Sequence, residues 1–154
     1  MSSTIMRRIL VQTADFDTGA QLACLEARPG VGGIASFVGT VRGQTGGKTL
    51  TALTLEHYPG MTERALTGIA QQAEARWPLL GCIIIHRVGT LPPGARIVLA
   101  AAASAHRQAA LEATGFLIDW LKTNAPFWKR EDFTDHTTNW VEARAADHEA
   151  ASRW

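Results

Sequence analysis

The sequence has almost no excess of charge of either sign. Lys and Arg together number 15 and Asp and Glu 14, so the formal net charge is +1. Proteins that bind nucleic acid or an anionic membrane surface through charge usually carry a marked basic excess. The composition therefore gives no electrostatic reason to expect a nucleic acid or a membrane as a partner.

Long apolar runs are also missing, and none approaches the ~18 residues of a helix that crosses a bilayer. The N-terminal segment carries Arg7 and Arg8 inside its apolar part, which argues against a signal peptide and favours a strand. Only Cys24 and Cys82 carry thiols. We expect both thiols to be buried and unpaired in a cytoplasmic protein.

Ligand spacings typical of a metal site are absent as well. No two of the five histidines are separated as in H-x3-H, and no cysteine lies within a few residues of any of them. A structural zinc site is not expected, and the sequence predicts no metal and no cofactor. The length of 154 residues fits a single domain over positions 1–154.

The apolar periodicity predicts an α+β fold, because strands and helices do not alternate strictly as in a doubly wound sheet. Three helices are predicted: one capped by Asp15 or Asp17, one over 61–77 and one over about 105–122. The segments 34–41 and 49–58, joined by the glycine-rich loop 43–48, are interpreted as a hairpin. The other strands are predicted at 5–11, 82–88, 96–103, 127–132 and 139–144.

The segment 121–131 is the most informative for function. It places Lys122 and Lys129 on either side of Pro126, which a regular helix cannot pass through. The resulting turn can bring both amines to one place, next to Phe127 and Trp128. Burial and a neighbouring like charge both lower the pKa of a lysine, which suits it to act as a base, an acid or a nucleophile on an anionic substrate.

Other cations also lie near the ends of predicted elements. Ser104 is predicted to cap the third helix, where His106 and Arg107 could assist the helix N-terminus in binding an anion. Arg42 follows a strand between glycines, which permit close approach of a ligand to the backbone. We therefore predict one cationic pocket for a small polyanion, formed from Arg42, His106, Arg107, Lys122, Lys129 and Arg130.

Three motifs in this order resemble the large, catalytic subunit of molybdopterin synthase. They are the segments 53–63, 104–107 and 121–131, within a similarity that runs from about residue 34 to the C-terminal Arg153-Trp154. The resemblance implies an α/β hammerhead fold with a mostly antiparallel sheet, and a homodimer. It also implies two small ubiquitin-like subunits, which complete a heterotetramer.

In that family, each small subunit inserts a C-terminal Gly-Gly tail that carries a thiocarboxylate. Its sulfur passes to cyclic pyranopterin monophosphate and forms the dithiolene of molybdopterin. The resemblance implies that Lys122 is the main catalytic lysine, that Lys129 is its partner, and that the pocket can draw residues from both protomers. Because a neighbouring like charge lowers the pKa of a lysine, we expect Lys129 to lower the pKa of Lys122. The substrate-binding residues that it implies are Arg42, His106, Arg107, Arg130 and Glu131.

Two other functions remain open at this point. The same scaffold could hold a different phosphate-handling enzyme, or it could be a non-catalytic module that docks a Gly-Gly tail. The role of Lys122 is also open: it could stabilise an anion at the acyl carbon, move a proton, or accept the tail briefly as an amide.

Overall fold

The computed structural model describes residues 4–142 and 144–154, which form nine strands and four helices. The helices are α1 (Thr18–Glu26), α2 (Met61–Arg76), α3 (Arg107–Thr123) and α4 (Ala145–Ser152). The strands are β1 (Met6–Gln12), β2 (Gly33–Thr40), β3 (Gln44–Thr45), β4 (Lys48–His57), β5 (Leu79–Arg87), β6 (Gly89–Leu91), β7 (Arg96–Ser104), β8 (Phe127–Phe133) and β9 (Thr138–Trp140).

The first sheet has the strand order β1-β5-β7-β2, with β1 parallel to β5 and the other pairs antiparallel. Its central strands are buried on both faces because helices cover both. Ile84 and Ala100 point into a core built with α2 and α3, whereas Ile83 and Ala101 face Leu25 of α1. This alternation follows from the two-residue repeat of a strand.

The second sheet has the order β3-β4-β8-β9, with β6 also paired to β4. The predicted hairpin between β2 and β4 is therefore wrong, since β2 pairs with β7. After β2, the Val41 N–H donates to Ala95 O (2.9 Å) and Val41 O accepts from the Gly94 N–H (2.8 Å), which carries the chain into the other sheet. Gly46 and Gly47 both have positive φ and close a tight turn between β3 and β4 instead.

The start of α3 also differs from the prediction. Ser104 does not cap the helix: it is the last residue of β7, and its hydroxyl donates to Pro78 O (2.8 Å). The cap position is His106, which makes no side-chain hydrogen bond there. Continued pairing of β7 with β5 as far as Leu79 buries Ser104, so its hydroxyl serves a buried carbonyl rather than the helix end.

The C-terminal region holds a helix that the sequence analysis did not predict. The expected strand over 139–144 is short, ending at Trp140, and α4 follows it. Trp154 and Arg153 hold α4 against α3, where both side chains donate to the Asp119 carboxylate. The Trp154 ring also lies edge-on to Phe116 at 5.8 Å.

The two cysteines lie in different environments. Cys82 is buried, which raises the pKa of its thiol to about 12, whereas Cys24 is exposed and corrects the expectation of two buried thiols. Cys24 is exposed because its neighbour Leu25 is the residue of α1 that enters the core.

Within residues 4–142 and 144–154, no helix combines the length and the apolar character needed to cross a membrane.

Candidate active site

The turn at Pro126 is where the structure brings the two predicted lysines together. At the end of α3 the Thr123 hydroxyl donates to Asp119 O (2.8 Å), and the Asn124 N–H donates to Trp120 O (2.8 Å). The chain then reverses and enters β8 at Phe127. Lys122, in the last turn of α3, and Lys129, in β8, consequently line the same cavity.

This cavity, hereafter the main cavity, has a volume of about 480 Å³. Its walls come from the end of β2, the end of α3, the start of β8 and the segment that leads into α4. Phe37 and Phe127 supply aromatic surface. The charged residues that line it are Arg42, Lys122, Lys129, Glu142, Arg144 and Asp147. Four cations against two carboxylates favour an anionic ligand.

Both lysines have lowered pKa values, chiefly because the cavity walls displace water around the amines. Lys129 is the more buried, and burial together with the charge of Lys122 lowers its pKa to about 8. For Lys122, which is partly open to solvent, Arg42 and Arg144 add to the lowering of its pKa. The stronger shift thus falls on Lys129, whereas the sequence analysis expected Lys129 to act on the pKa of Lys122.

Asp147 is the counter-charge of this cluster. Its presence raises the pKa values of both lysines and so opposes the effect of burial. Its carboxylate accepts a hydrogen bond from the Arg144 N–H (3.1 Å) at the start of α4. Because α4 is held through Trp154 and Arg153, this carboxylate stays beside the amines. The site therefore contains an opposing charge that the sequence analysis did not include.

The structure does not bring His106 and Arg107 to the main cavity of their own chain. They lie at the start of α3, whereas Lys122 lies in its last turn, which is about 22 Å away along the axis at ~1.5 Å per residue. Both residues are exposed. In register, they follow the end of β7 that pairs with Gly33, while the cavity borders the other end of β2.

Arg130 and Glu131 do not line the cavity either. Successive strand residues point to opposite faces, so Arg130 faces away from Lys129, and it forms an ion pair with Asp132 (3.0 Å). Glu131 is buried, and its carboxylate accepts from the Thr45 hydroxyl (2.7 Å) and the Asn139 amide (3.3 Å). The run 129–131 therefore contributes one residue to the cavity rather than three.

Several lining residues escaped sequence reasoning. Arg144 and Asp147 lie in a segment without apolar periodicity, so only its packing on α3 assigns them to the site. His86 lies within a buried strand, where a histidine gives no signal of its own. It lines a second, smaller space of about 40 Å³, hereafter the inner cavity, which shares the walls formed by Lys122 and Lys129.

The arrangement combines anion binding with proton exchange. Arg42 and Arg144 supply permanent positive charge, and an amine with a pKa of about 8 is populated in both protonation states near neutral pH. Neither cysteine lines the main cavity. A nucleophilic sulfur used here would have to arrive with a substrate or a partner.

The sequence is similar to those of known proteins. Residues 11–124 match the family model described as MoaE protein. A molybdopterin synthase catalytic subunit of Ralstonia nicotianae is 51% identical over 150 residues, which cover 97% of this chain and 85% of the relative. One from Pseudomonas aeruginosa is 52% identical over 147 residues, which cover 95% of this chain and 97% of the relative.

The fold is likewise similar to solved structures. The molybdopterin biosynthesis MoaE protein from Burkholderia ambifaria MC40-6 superposes with a TM-score of 0.81 at 47% sequence identity. The superposition covers 97% of this chain and 98% of that chain. The α+β fold class predicted from the sequence is confirmed, with α4 as an addition to the three predicted helices.

Proposed function

The chain belongs to the MoaE protein family, that of the molybdopterin synthase catalytic subunits, and from this premise we propose that it transfers sulfur to cyclic pyranopterin monophosphate. The observation that carries the proposal is the main cavity, where Lys122 and Lys129 converge with Arg42. The sulfur comes from the C-terminal thiocarboxylate of a small ubiquitin-like subunit. The product is the dithiolene of molybdopterin, made in two transfers.

The charges of the cavity suit this substrate. The cyclic phosphate is an anion that Arg42 can bind through a planar fork of donors. The thiocarboxylate sulfur is already nucleophilic, so the enzyme needs no reactive cysteine of its own. The buried Cys82, with its pKa raised to about 12, and the exposed Cys24 outside the cavity fit that requirement. Free thiols also suit the cytoplasm, where we place the reaction.

The partner follows from the same chemistry. A Gly-Gly tail has no side chains beyond the backbone, so it can enter a confined space that other peptides could not. The description of the relatives as catalytic subunits supports the existence of a further subunit. We propose that the 154-residue chain acts as one domain and that two copies bind two small subunits in a heterotetramer.

His106 and Arg107 take part in this scheme only if they come from a second copy of the chain. In one protomer α3 separates them from Lys122 by about 22 Å. In a symmetric dimer, the exposed start of α3 from one protomer can reach the main cavity of the other. We therefore propose a homodimer in which each site combines Arg42, Lys122 and Lys129 of one chain with His106 and Arg107 of its partner.

Purified chain, supplied with a thiocarboxylated small subunit and cyclic pyranopterin monophosphate, is expected to form the dithiolene. Product is measured as molybdopterin after oxidation to a fluorescent pterin. The control is the same small subunit with an ordinary C-terminal carboxylate, which should give none. Tail binding without product would favour the docking module, and turnover of other phosphorylated substrates without sulfur transfer would favour the alternative enzyme.

Mixed dimers test the shared site. The Lys122→Ala and Arg107→Ala variants should each be nearly inactive, yet refolded together they should recover about a quarter of wild-type activity, since half the dimers then hold one intact site. Two Lys122→Ala samples refolded together are the control and should recover nothing. Absence of recovery in confirmed mixed dimers would place Arg107 outside the partner's site.

A further inference from the structure

His86 is a buried residue for which the mechanism described above gives no role. It lies near the end of β5 with 3% of its surface exposed, directly after the apolar residues 82–85. A polar side chain at such a position usually serves a specific partner, because burying it unpaired is costly. Its surroundings therefore indicate what that partner is.

Two contacts fix the orientation of the His86 ring. The ring stacks on Phe127 with centroids 3.8 Å apart and an interplanar angle of 16°. Its Nδ1 lies 2.9 Å from Arg87 O, and because a carbonyl oxygen can only accept, Nδ1 carries the proton. The other nitrogen, Nε2, is then the unprotonated one, with a lone pair available as an acceptor.

The ring stays neutral over the working pH range. Burial lowers the pKa of His86 to about 3, and the charges of Lys129, Lys122 and His57 contribute to the lowering. The hydrogen bond to the Arg87 carbonyl opposes this shift only in part. A permanently neutral imidazole whose Nδ1 is already engaged can offer its neighbours only an acceptor at Nε2.

The inner cavity is lined by His86 and by both lysines, Lys122 and Lys129. Its volume of about 40 Å³ leaves room for about one water molecule, since a water molecule takes up ~30 Å³ in the liquid. Among the described residues, no hydrogen bond reaches Nε2. An ammonium group that has lost most of its water needs hydrogen-bond acceptors. The lone pair of His86 Nε2 is an uncharged acceptor at the cavity that Lys129 also lines.

We propose that His86 is a positioning residue: its Nε2 accepts a hydrogen bond from one water molecule in the inner cavity, which in turn accepts one from the Lys129 amine. This bond sets the direction of the amine and stabilises its charged form. The stack on Phe127, the first residue of β8, ties the ring to the strand that carries Lys129. The consequence for catalysis rests on the proposed function, whereas the bond itself does not.

The chain suits a direct test because it has only three lysines, Lys48, Lys122 and Lys129. Lysine labelled with carbon-13 at Cε gives one titration curve for each, and Lys48, outside both cavities, is the internal reference. The pKa of Lys129 also depends on the other charged residues that line the main cavity, so the variants leave all of them in place. These residues are Arg42, Lys122, Glu142, Arg144 and Asp147.

His86→Phe keeps an aromatic ring but removes both nitrogens. We expect the midpoint of the Lys129 titration to fall by roughly 0.5–1 pH unit, which is the shift that loss of one hydrogen bond gives. His86→Gln, with an amide oxygen in place of Nε2, should recover most of the shift. In sulfur transfer, kcat should fall about tenfold in His86→Phe with KM unchanged.

His57→Phe is the matched control. His57 also neighbours Phe127, with centroids 6.3 Å apart, but it bonds to Thr62 and lines neither cavity. Its replacement should leave the Lys129 midpoint in place. An unshifted Lys129 midpoint in folded His86→Phe overturns the proposal.

If His86→Phe fails to fold, the wild-type protein decides. With nitrogen-15 in the imidazoles, the His86 Nε2 resonance should be that of an unprotonated nitrogen and should move as Lys129 titrates. A resonance that ignores this titration overturns the proposal. A coupled titration in a protein that transfers no sulfur would retain the hydrogen bond and reject the proposed function instead.

Discussion

Replacing Lys122 with alanine is expected to lower the rate of sulfur transfer by about 10²–10³-fold while the protein stays folded. Lys122 lies in the last turn of α3 with part of its surface open to solvent, so truncation removes little core packing. What is lost is an amine that lines the main cavity, where we propose that the tail and the substrate meet. The measurement is single-turnover formation of molybdopterin, with the thermal unfolding midpoint recorded alongside.

Two further variants make this result specific. Lys48→Ala is the same substitution at a lysine that pairs with Asp135 (3.1 Å) away from the cavity, and it should leave the rate unchanged. Lys122→Arg keeps the charge but cannot form an amide with the tail. Recovery of activity by arginine would assign Lys122 an electrostatic role, and its absence would leave proton transfer or covalent catalysis. Near-wild-type turnover in Lys122→Ala would remove Lys122 from the chemistry.

The second large expected effect is a pH dependence of kcat/KM that follows the titration of Lys129. Its pKa is lowered to about 8, so the amine loses its charge as the pH rises through that value. If it offsets phosphate charge, kcat/KM should fall above pH 8, by about tenfold per unit once the group is deprotonated. Lys129→Arg should abolish this fall, because a guanidinium keeps its proton throughout the range.

The same variants detect the opposite role. If the neutral Lys129 amine acted as a base, kcat/KM would rise through pH 8 and Lys129→Arg would be inactive at every pH. Lys129→Ala, which lacks both charge and base, should be weak throughout and shows the activity that remains without the group. The proposal requires the falling limb, so a rising limb would contradict it.

The pH dependence of the free energy of unfolding measures the Lys129 titration independently of activity. A lysine whose pKa is lower in the folded than in the unfolded protein binds fewer protons when folded between the two values. Within that window, from about pH 8 to the ordinary lysine pKa of ~10.4, the free energy of unfolding rises with pH. Below pH 8 the folded protein carries the full cost of the buried charge. The polar cavity thus lowers stability at neutral pH, where the enzyme is expected to work.

The sequence alone determined several strands, the turn at Pro126 and the family of the protein. Continuous apolar runs predicted the buried strands around Ile84 and Ala101. The ring of Pro126, which a regular helix cannot accommodate, predicted the turn between Lys122 and Lys129. The three ordered motifs identified the family, and that identification is confirmed. These features are readable because each depends on residues close together along the chain.

Only the tertiary structure decided the rest. Strand partners lie far apart along the chain, so the pairing of β2 with β7 rather than β4 depends on which faces the helices can cover. The same long-range packing places Asp147 in the main cavity with the amines, leaves Arg107 at the far end of α3 and brings His86 to a cavity that it shares with Lys129. Charge, burial and direction at the site arise from these contacts, and no local pattern of residues encodes them.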